Sequence, residues 1–171
     1  MMILVISDSH GDSSIVRLLL NRYAQWAQMV VHLGDNIKDL LQYELEYPAI
    51  TFTAVPGNCD YYGGLPNERI LTVGVGNAKK RRLLLLHGHT LNVKSGYNRL
   101  MYYAQEKEVD ACLFGHTHTP LVHTEPVFSC EKEILFMNPG SISQPRGGSR
   151  ASYGIVLINN DGSITGEVIE V

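Results

Sequence analysis

The sequence has few cysteines, no long apolar segment and no large excess of charge. Its three cysteines, Cys59, Cys112 and Cys130, are odd in number and widely spaced among 171 residues. That spacing excludes a disulfide framework, so we expect reduced thiols in a cytoplasmic protein. The apolar runs at 1–7 and 83–86 are too short for a signal-peptide core or a membrane span. A net charge of -3 gives no electrostatic basis for binding nucleic acid or an anionic membrane.

The chain carries enough apolar residues to build a core of ordinary size. Hydrophobic residues make up 44% of the sequence, which allows folding without a metal ion or a disulfide. The sequence has no repeat, no low-complexity stretch and no linker. We therefore expect a single domain over residues 1–171.

Apolar patterning predicts strands that alternate with helices in the first half and antiparallel strands in the second. Short apolar runs bounded by glycine or proline are typical of buried strands, and apolar residues at helical spacing mark the helices. The predicted strands are 2–6, 29–33, 50–55, 68–75, 81–87, 110–114, 121–127, 133–137, 152–158 and 163–170, with a hairpin connection at 76–80, and the predicted helices are 15–29, 38–47 and 97–107. Two sheets packed face to face with helices outside would satisfy both halves of this α/β pattern.

Five short clusters of possible metal ligands follow predicted strands, each beside a glycine. They are Asp8-Ser9-His10-Gly11, Gly34-Asp35, Gly57-Asn58-Cys59-Asp60, His87-Gly88-His89 and Gly115-His116-Thr117-His118. In an open α/β sheet the loops at the carboxyl ends of the strands meet, so we expect these side chains to converge. Carboxylates, imidazoles and one carboxamide suit a pair of divalent transition metals. The pattern predicts a dinuclear metal hydrolase.

Taken singly, most of these clusters have an ordinary explanation. Asp8 with His10 is also the pattern of a helix-capping aspartate followed by a surface histidine, and Asp35 and Asn58 are common turn residues. The cluster at 115–118 is more specific, because its two histidines follow a buried strand. Taken together the ordinary explanations lose weight, since every cluster lies at a predicted strand end.

The order Asp-x-His, Gly-Asp, Gly-Asn, His-Gly and Gly-His-x-His resembles that of the calcineurin-like metallophosphoesterase superfamily, and within it the small phosphodiesterases of the YfcE type. The resemblance spans nearly the whole chain and includes Asn138-Pro139-Gly140-Ser141 and Pro145-Arg146-Gly147-Gly148. It implies a four-layer α/β/β/α sandwich of two mixed sheets flanked by helices. It also implies two metal ions, one held by Asp8, His10 and His118, the other by Asn58, His87 and His116, with Asp35 bridging both.

The implied activity is that of a phosphodiesterase, in which metal-bound hydroxide attacks phosphorus. Two divalent cations set against Asp8 and Asp35 leave the site cationic by roughly two charges, which suits a phosphate ester anion. Mn²⁺ is the expected metal, and mixed nitrogen and oxygen ligands also permit Fe, Co, Ni or Zn. We expect a small phosphate ester as substrate, no membrane and no dedicated nucleic-acid surface, and a homo-oligomer is compatible with the sequence.

Cys59 departs from the wider superfamily, where many members have a histidine that faces the substrate in Gly-Asn-His-Asp or Gly-Asn-His-Glu. A thiol is a weak hydrogen-bond donor and a poor proton source near neutral pH. General acid catalysis is worth about a hundred- to ten-thousand-fold, so we expect modest activity, best on esters with acidic leaving groups. His89 either takes over part of this role or orients a neighbouring ligand. The predicted catalytic residues are Asp35, Asn58, Cys59 and His89.

Several other polar residues have two interpretations each. Asp60 would orient its neighbours or cap a turn, and Arg146 would reach a phosphate or be solvated. The basic run at 79–82 is interpreted as a solvated hairpin turn. His32 and His123 lie within strand-like runs that lack other ligands, and both are interpreted as structural or solvated.

A second class of function is compatible with the same fold. A retromer subunit that resembles this family is a binding scaffold, and loss of ligands accompanies that role. All seven ligand positions are intact in this sequence, which favours an enzyme. A phosphomonoesterase or a cyclic-nucleotide enzyme would share the same metal core.

Overall fold

The computed structural model describes residues 1–61, 64–76, 79–127 and 132–171. Within these residues the helices are α1 (Ser13–Tyr23), α2 (Lys38–Leu41) and α3 (Asn98–Glu106), and two 3₁₀ turns, His89–Leu91 and Val93–Ser95, lie before α3. The strands are β1 (Met2–Ile6), β2 (Ala27–His32), β3 (Thr51–Ala54), β4 (Glu68–Val73), β5 (Arg81–Leu86), β6 (Ala111–Phe114), β7 (Leu121–Pro126), β8 (Glu133–Asn138), β9 (Ser152–Ile158) and β10 (Ile164–Glu170).

The strands form two mixed five-stranded sheets. The first sheet has the order β10-β9-β1-β2-β3, and the second has the order β4-β5-β6-β8-β7. In the first sheet β1, β2 and β3 are parallel, while β9 and β10 pair antiparallel. In the second sheet β5, β6 and β8 are parallel, while β4 and β7 are antiparallel edge strands. This topology confirms the predicted pair of mixed sheets.

Side chains of β1 show how the layers are stacked. Ile3 and Val5 belong to a core that also contains Leu83 and Leu113 of the second sheet, so this core fills the space between the sheets. The alternate residues of β1 pack instead with α1 and α2 on the outer face of the first sheet. Residues of α3 pack in the same way against the outer face of the second sheet. Because side chains alternate along a strand, each inner strand is buried on both faces, and the four-layer α/β/β/α arrangement is confirmed.

Two helices are shorter than predicted. The first ends at Tyr23 and does not continue to 29, because Ala27 and Met29 pair with β1 as part of β2. Sheet pairing of this apolar run overrides its helical spacing. The second ends at Leu41 and not at 47, and the chain continues in turns such as the one closed by Glu44 N donating to the Leu41 carbonyl at 3.2 Å.

Two further predictions concern loops and thiols. Residues 77–78 of the predicted hairpin connection, and Cys130, lie outside the described residues. Cys59 is exposed and Cys112 is buried, and both are free thiols. Over the described residues, no helix combines the length and the apolarity needed to cross a bilayer.

The parallel strands bring their carboxyl ends to one edge of the sandwich. There the two sheets are joined by polar contacts, since His87 Nδ1 lies 2.7 Å from the Leu33 carbonyl oxygen and the His116 N–H donates to Asp8 Oδ2 at 3.1 Å. His87 and His116 follow β5 and β6, whereas Asp8 and Leu33 follow β1 and β2. The predicted ligand clusters therefore meet between the two sheets.

Candidate metal centre

Four predicted ligands form a compact group at this edge. Asp8, His10, Asp35 and His118 each offer one ligand atom, and these atoms all lie within 4.8 Å of one another. Asp8, Asp35 and His118 are almost fully buried, and His10 is half-buried. Burial of two carboxylates so close together is costly unless positive charge compensates them.

The contacts within this group are those of ligands that face a common point. His118 Nε2 lies 3.1 Å from Asp8 Oδ1. His10 Nε2 lies 3.3 Å from His118 Nε2 and 3.7 Å from Asp35 Oδ2. The described residues include no aligned hydrogen-bond donor for the buried Asp8 Oδ1. Two imidazole nitrogens and two carboxylates, of which Asp8 has the unpaired oxygen, are a donor set that fits a divalent transition metal.

A second group meets the first at Asp35. Its Oδ1 lies 3.4 Å from His87 Nε2, and His116 Nδ1 lies 3.1 Å from the same His87 nitrogen. The other oxygen of Asp35 is the one that faces His10. The carboxylate of Asp35 thus stands between two imidazole groups, with one oxygen toward each.

Backbone carbonyl groups orient two of the imidazole rings. His87 Nδ1 lies 2.7 Å from the Leu33 carbonyl oxygen, and His118 Nδ1 lies 2.6 Å from that of Gln144. A carbonyl oxygen only accepts, so each Nδ1 donates its proton there, and each Nε2 is the ring nitrogen that remains to bind a metal. This arrangement is the usual support for histidine ligands of a metal.

Asn58 is placed differently from the other six predicted ligands. Its side chain is exposed, and its Nδ2 donates to Cys59 Sγ at 3.3 Å. The backbone N–H of Cys59 donates to Asp35 Oδ1 at 2.9 Å, so the loop after β3 does reach the centre. Burial and the negative charge of Asp35 raise the pKa of the Cys59 thiol, which keeps it protonated near neutral pH. The role of Asn58 as a ligand stays a prediction.

The Asp60 carboxylate binds four backbone N–H groups. Its Oδ2 accepts from Asp35 N at 2.8 Å and Gly57 N at 2.9 Å, and its Oδ1 accepts from Asn36 N and Ile37 N at 2.9 and 3.0 Å. Asp60 therefore ties the loop after β2 to the loop after β3 and fixes the backbone of Asp35.

Among the described residues, the side chains of Arg146 and His123 form no hydrogen bond with the ligand groups. The Arg146 side chain is exposed, and its backbone N–H donates to the His118 carbonyl at 3.1 Å. His123 pairs with Glu125 in an exposed position. The structure therefore gives Arg146 a backbone contact with a ligand loop, and its contact with a phosphate stays a prediction.

His89 lies beside the second imidazole group. Its ring centroid is 5.4 Å from that of His87 and 6.1 Å from that of His116. Its Nδ1 is buried, with no hydrogen-bond partner among the described residues. Burial and the neighbouring His87 lower the pKa of His89, so the ring is neutral near pH 7.

The pKa values of the ionisable groups at the centre are shifted in different directions. Burial would raise the pKa values of Asp8 and Asp35, but contacts with His118 and His87 respectively outweigh it, and both are lowered. Burial lowers the pKa of His87, but its contact with Asp35 and the nearby carboxylate charges raise it above the ordinary value. Burial and the charge of His87 lower the pKa of His116 to about 4. The carboxylates of Asp8 and Asp35 are thus ionised, and His87 binds a proton more tightly than an ordinary imidazole.

The ligand loops have an uncommon backbone conformation. Among the described residues, eight other than glycine have positive φ, and five of them are predicted ligands: Asp8, His10, Asp35, His116 and His118, with φ between 47° and 71°. Such conformations cost about 1–3 kcal/mol each and cluster at functional sites.

Gly34 has φ of +105°, and a Cβ there would lie 2.5 Å from His87 Nδ1. Only glycine fits this contact between the loops after β2 and β5.

Polar residues of the later part support the ligand loops. The Ser141 hydroxyl donates to the Asp8 carbonyl at 2.7 Å, and Asn138 Nδ2 donates to the Gly115 carbonyl at 2.8 Å. The sequence resemblance includes both residues but assigns them no role. No role was predicted for Ser7, whose hydroxyl donates to Asp8 Oδ2 at 2.6 Å. His32 is fully buried, which agrees with its interpretation as a structural residue. Ser7 has one signal in the sequence, its position next to the cluster at 8–11.

The chain matches a family model and curated proteins over most of its length. Residues 1–161 match the model of the calcineurin-like phosphoesterase superfamily domain. The chain is 33% identical over 162 residues to the probable metallophosphoesterase YsnB of Bacillus subtilis (strain 168), an alignment that covers 94% of this chain and 86% of YsnB. It is 30% identical over 198 residues to the phosphodiesterase YfcE of Escherichia coli (strain K12), with 98% and 97% covered.

Solved structures share this fold. The structure of YfcE, a phosphoesterase from E. coli, has a TM-score of 0.62 at 26% identity and covers 99% of this chain and 98% of that one. Wild-type Vps29 from Entamoeba histolytica, complexed with Zn²⁺, has a TM-score of 0.65 at 26% identity, with the same coverage. The predicted resemblance is confirmed, and this chain belongs to the calcineurin-like phosphoesterase superfamily.

Proposed function

We propose that this member of the calcineurin-like phosphoesterase superfamily is a phosphodiesterase that works with two divalent metal ions. The observation that carries the proposal is the Asp35 carboxylate, which has one oxygen toward His10 and the other toward His87. A carboxylate between two separate imidazole groups is the arrangement expected of a bridging ligand. The 30% identity to the phosphodiesterase YfcE supports the same activity.

The ligand assignment follows the two groups. Asp8, His10 and His118 would hold one ion, Asn58, His87 and His116 would hold the other, and Asp35 would contact both. Bound there, two divalent cations lower the pKa of a water molecule and clamp the oxygens of a phosphate. Asn58 is the one member that must turn its side chain inward from its contact with Cys59.

The protein's own contribution is charge and orientation. Two carboxylates, Asp8 and Asp35, lie almost fully buried at the centre and offset about half of the four charges of two divalent ions. The remaining excess of roughly two positive charges favours a phosphate ester anion. Because the pKa of His89 is lowered, its ring is neutral near pH 7, and it can accept a proton there or orient the neighbouring ligands.

The exposed thiol of Cys59 restricts which esters react quickly. Partial desolvation of the sulfur and the negative charge of Asp35 raise its pKa, so it gives up a proton poorly near neutral pH. Esters whose leaving groups need protonation therefore react slowly, and esters with acidic leaving groups react faster. The preferred substrate is a small phosphodiester with an acidic leaving group.

The metal and the cellular setting are parts of the same proposal. Mixed carboxylate and imidazole ligands accept Mn²⁺, the metal we propose, and also Fe, Co, Ni or Zn. Zn²⁺ is the ion named for the Vps29 neighbour. The odd number of cysteines favours reduced thiols in the cytoplasm, and we propose that residues 1–171 form one domain.

The test is hydrolysis of bis(p-nitrophenyl) phosphate by protein that has been stripped of metal and then loaded with Mn²⁺. We expect activity that depends on Mn²⁺ and that His10→Ala reduces by at least about a hundredfold, because loss of a ligand should cost more than the roughly 10- to 100-fold typical of residues that only support a ligand. His123→Ala is the matched control, because His123 is an exposed histidine that pairs with Glu125 and is not one of the candidate ligands. Protein that neither binds a divalent metal nor hydrolyses the ester would refute the proposal.

A second candidate function is a protein-interaction scaffold of the same fold. The observation that favours it is the likeness to Vps29, a vacuolar protein sorting protein, which extends over nearly the whole chain. Full retention of the seven candidate ligands weighs toward the enzyme. The same hydrolysis assay separates the two, because a scaffold needs no turnover.

A further inference from the structure

A buried polar cluster supports the candidate metal centre and belongs to neither ligand group. It consists of Ser9, His32 and Asp39, which are 0%, 0% and 3% exposed. Ser9 Oγ lies 2.9 Å from His32 Nε2 and 2.7 Å from Asp39 Oδ2. His32 Nδ1 accepts the Gly34 N–H at 3.1 Å, and Asp39 Oδ2 also accepts the Gly11 N–H at 2.8 Å. We call these three side chains the Ser9 network.

The hydrogen-bond directions within the Ser9 network are set by its ends. Because His32 Nδ1 accepts from a backbone N–H, the neutral ring carries its proton on Nε2 and donates it to Ser9. The Ser9 hydroxyl is then free to donate to Asp39 Oδ2. Both ring nitrogens of His32 and the Ser9 hydroxyl thus have partners inside the protein, and Asp39 Oδ2 accepts two hydrogen bonds.

The Ser9 network joins two loops that carry three candidate ligands. Ser9 is the middle residue of the cluster at 8–10, and its Oγ lies 3.3 Å from the carbonyl oxygens of Asp35 and Asn36. Asp39 belongs to α2, which follows the second of these loops. The network therefore connects the loop after β1 to the loop after β2 through buried side chains.

Both joined loops have the uncommon backbone conformation described above. Asp8 and His10 have φ of 54° and 47°, and Asp35 and Asn36 have φ of 62° and 74°. Residues other than glycine keep such conformations only where the surrounding structure determines them. Ser9 lies between Asp8 and His10 in the chain, and its hydroxyl contacts the carbonyl groups of Asp35 and Asn36. Its contacts can therefore hold both loops in this conformation.

We propose that Ser9, His32 and Asp39 are positioning residues that hold the loops at 8–10 and 35–36 in the geometry that binds a divalent metal. The identity of the ligand rests on the proposed function, whereas the holding of the loops does not. Removing the Ser9 hydroxyl leaves the buried His32 Nε2–H without its acceptor and Asp39 without one donor. Such losses in the support of metal ligands lower metal affinity.

The test compares Ser9→Ala with Ser152→Ala. Ser152 is a matched control, because it is also buried, at 1% exposure, and its hydroxyl donates to a backbone carbonyl, that of Pro139, at 2.7 Å. Two quantities are measured: Mn²⁺ affinity by titration calorimetry, and amide hydrogen exchange of the metal-free protein. We expect Ser9→Ala to weaken Mn²⁺ binding by about 10- to 100-fold and to speed exchange in residues 8–11 and 34–37, with neither change in Ser152→Ala.

A second variant keeps the test decisive. If Ser9→Ala does not fold, Asp39→Asn, which preserves the shape of the side chain and removes its charge, is expected to give the same two changes to a smaller degree. Equal Mn²⁺ affinity and equal exchange in the network variant and in Ser152→Ala would overturn the inference. If the wild-type protein binds no Mn²⁺, the proposed function fails, and exchange in the metal-free protein alone decides whether the network holds the loops.

Discussion

Burial of His32 predicts a specific loss of stability in acid. Its side chain is fully buried, and desolvation, the largest influence, lowers its pKa from 6.5 to about 4 against the opposing charges of nearby aspartates. In the unfolded chain the same imidazole titrates near its ordinary value. Between these two pH values the unfolded state binds a proton that the folded state does not. The free energy of unfolding therefore falls as the pH falls through this range.

The magnitude follows from the two pKa values. The interval from 6.5 down to about 4, at about 1.4 kcal/mol for each pH unit, corresponds to about 3 kcal/mol of unfolding free energy. The contribution is fully present above pH 6.5 and is lost by about pH 4. Against a typical stability of about 5–15 kcal/mol, this is a large share.

The assay is urea unfolding of metal-free protein at a series of pH values between about 7 and 4.5, for the wild type and for His32→Gln. A glutamine amide can still donate to Ser9 but does not titrate, so the variant lacks this pH-dependent part. We expect His32→Gln to be less stable than the wild type at neutral pH. The difference between their free energies of unfolding should narrow by about 2 kcal/mol or more toward pH 4.5. Other groups, such as His116, titrate in both proteins, so their contributions cancel in the difference between the two free energies of unfolding. Parallel stability curves would refute the reasoning.

Three further predictions concern the centre itself. Cys59→His should raise turnover of Mn²⁺-loaded protein on phosphodiesters with poor leaving groups by about a hundredfold, and steady-state kinetics showing no gain would contradict the role given to the thiol. Gly34→Ala should lower Tm in calorimetry by about 3–10 °C more than Gly64→Ala. Both glycines have φ above +100°, but within the described part of the chain a Cβ at Gly34 would lie against other atoms and one at Gly64 would not. Equal Tm losses would mean that the contact with His87 is unimportant. Burial lowers the pKa of His87, yet its contact with Asp35 and the nearby carboxylate charges raise it overall. Mn²⁺ affinity measured by calorimetry should therefore fall by about tenfold for each pH unit below that pKa, and a pH-independent affinity would exclude proton competition at this ring.

Elements defined by buried apolar runs could be predicted from the sequence almost to the residue. The strand predicted at 152–158 is observed as Ser152–Ile158, and the strand predicted at 2–6 as Met2–Ile6. The helix predicted at 15–29 failed at its end, because residues 27–29 satisfy both helical spacing and strand composition. Only pairing with β1, a contact distant in sequence, decides between the two.

The sequence allowed us to predict that the ligand clusters approach one another. It did not allow us to predict which buried residues hold the ligand loops in place. Strand ends marked by glycine are visible in a sequence, and parallel strands carry them to one edge. His32 was interpreted as structural or solvated because it has no ligand-rich neighbours along the chain. Its partners Ser9 and Asp39 are 23 and 7 residues away, and such a distance cannot be read without the fold.

The backbone of the ligand loops explains why each cluster seemed ordinary by itself. Asp, Asn and His are the residues other than glycine that most readily adopt positive φ, and Asp and His are also metal ligands. Asp8, Asp35 and His118 adopt that conformation, with φ of 54°, 62° and 59°. The interpretation of these residues as turn formers and their interpretation as ligands are therefore both compatible with the structure. A carboxylate or imidazole at such a position forms the turn and directs a ligand atom toward its neighbours, so a substitution that keeps only one of these properties should still disrupt the centre.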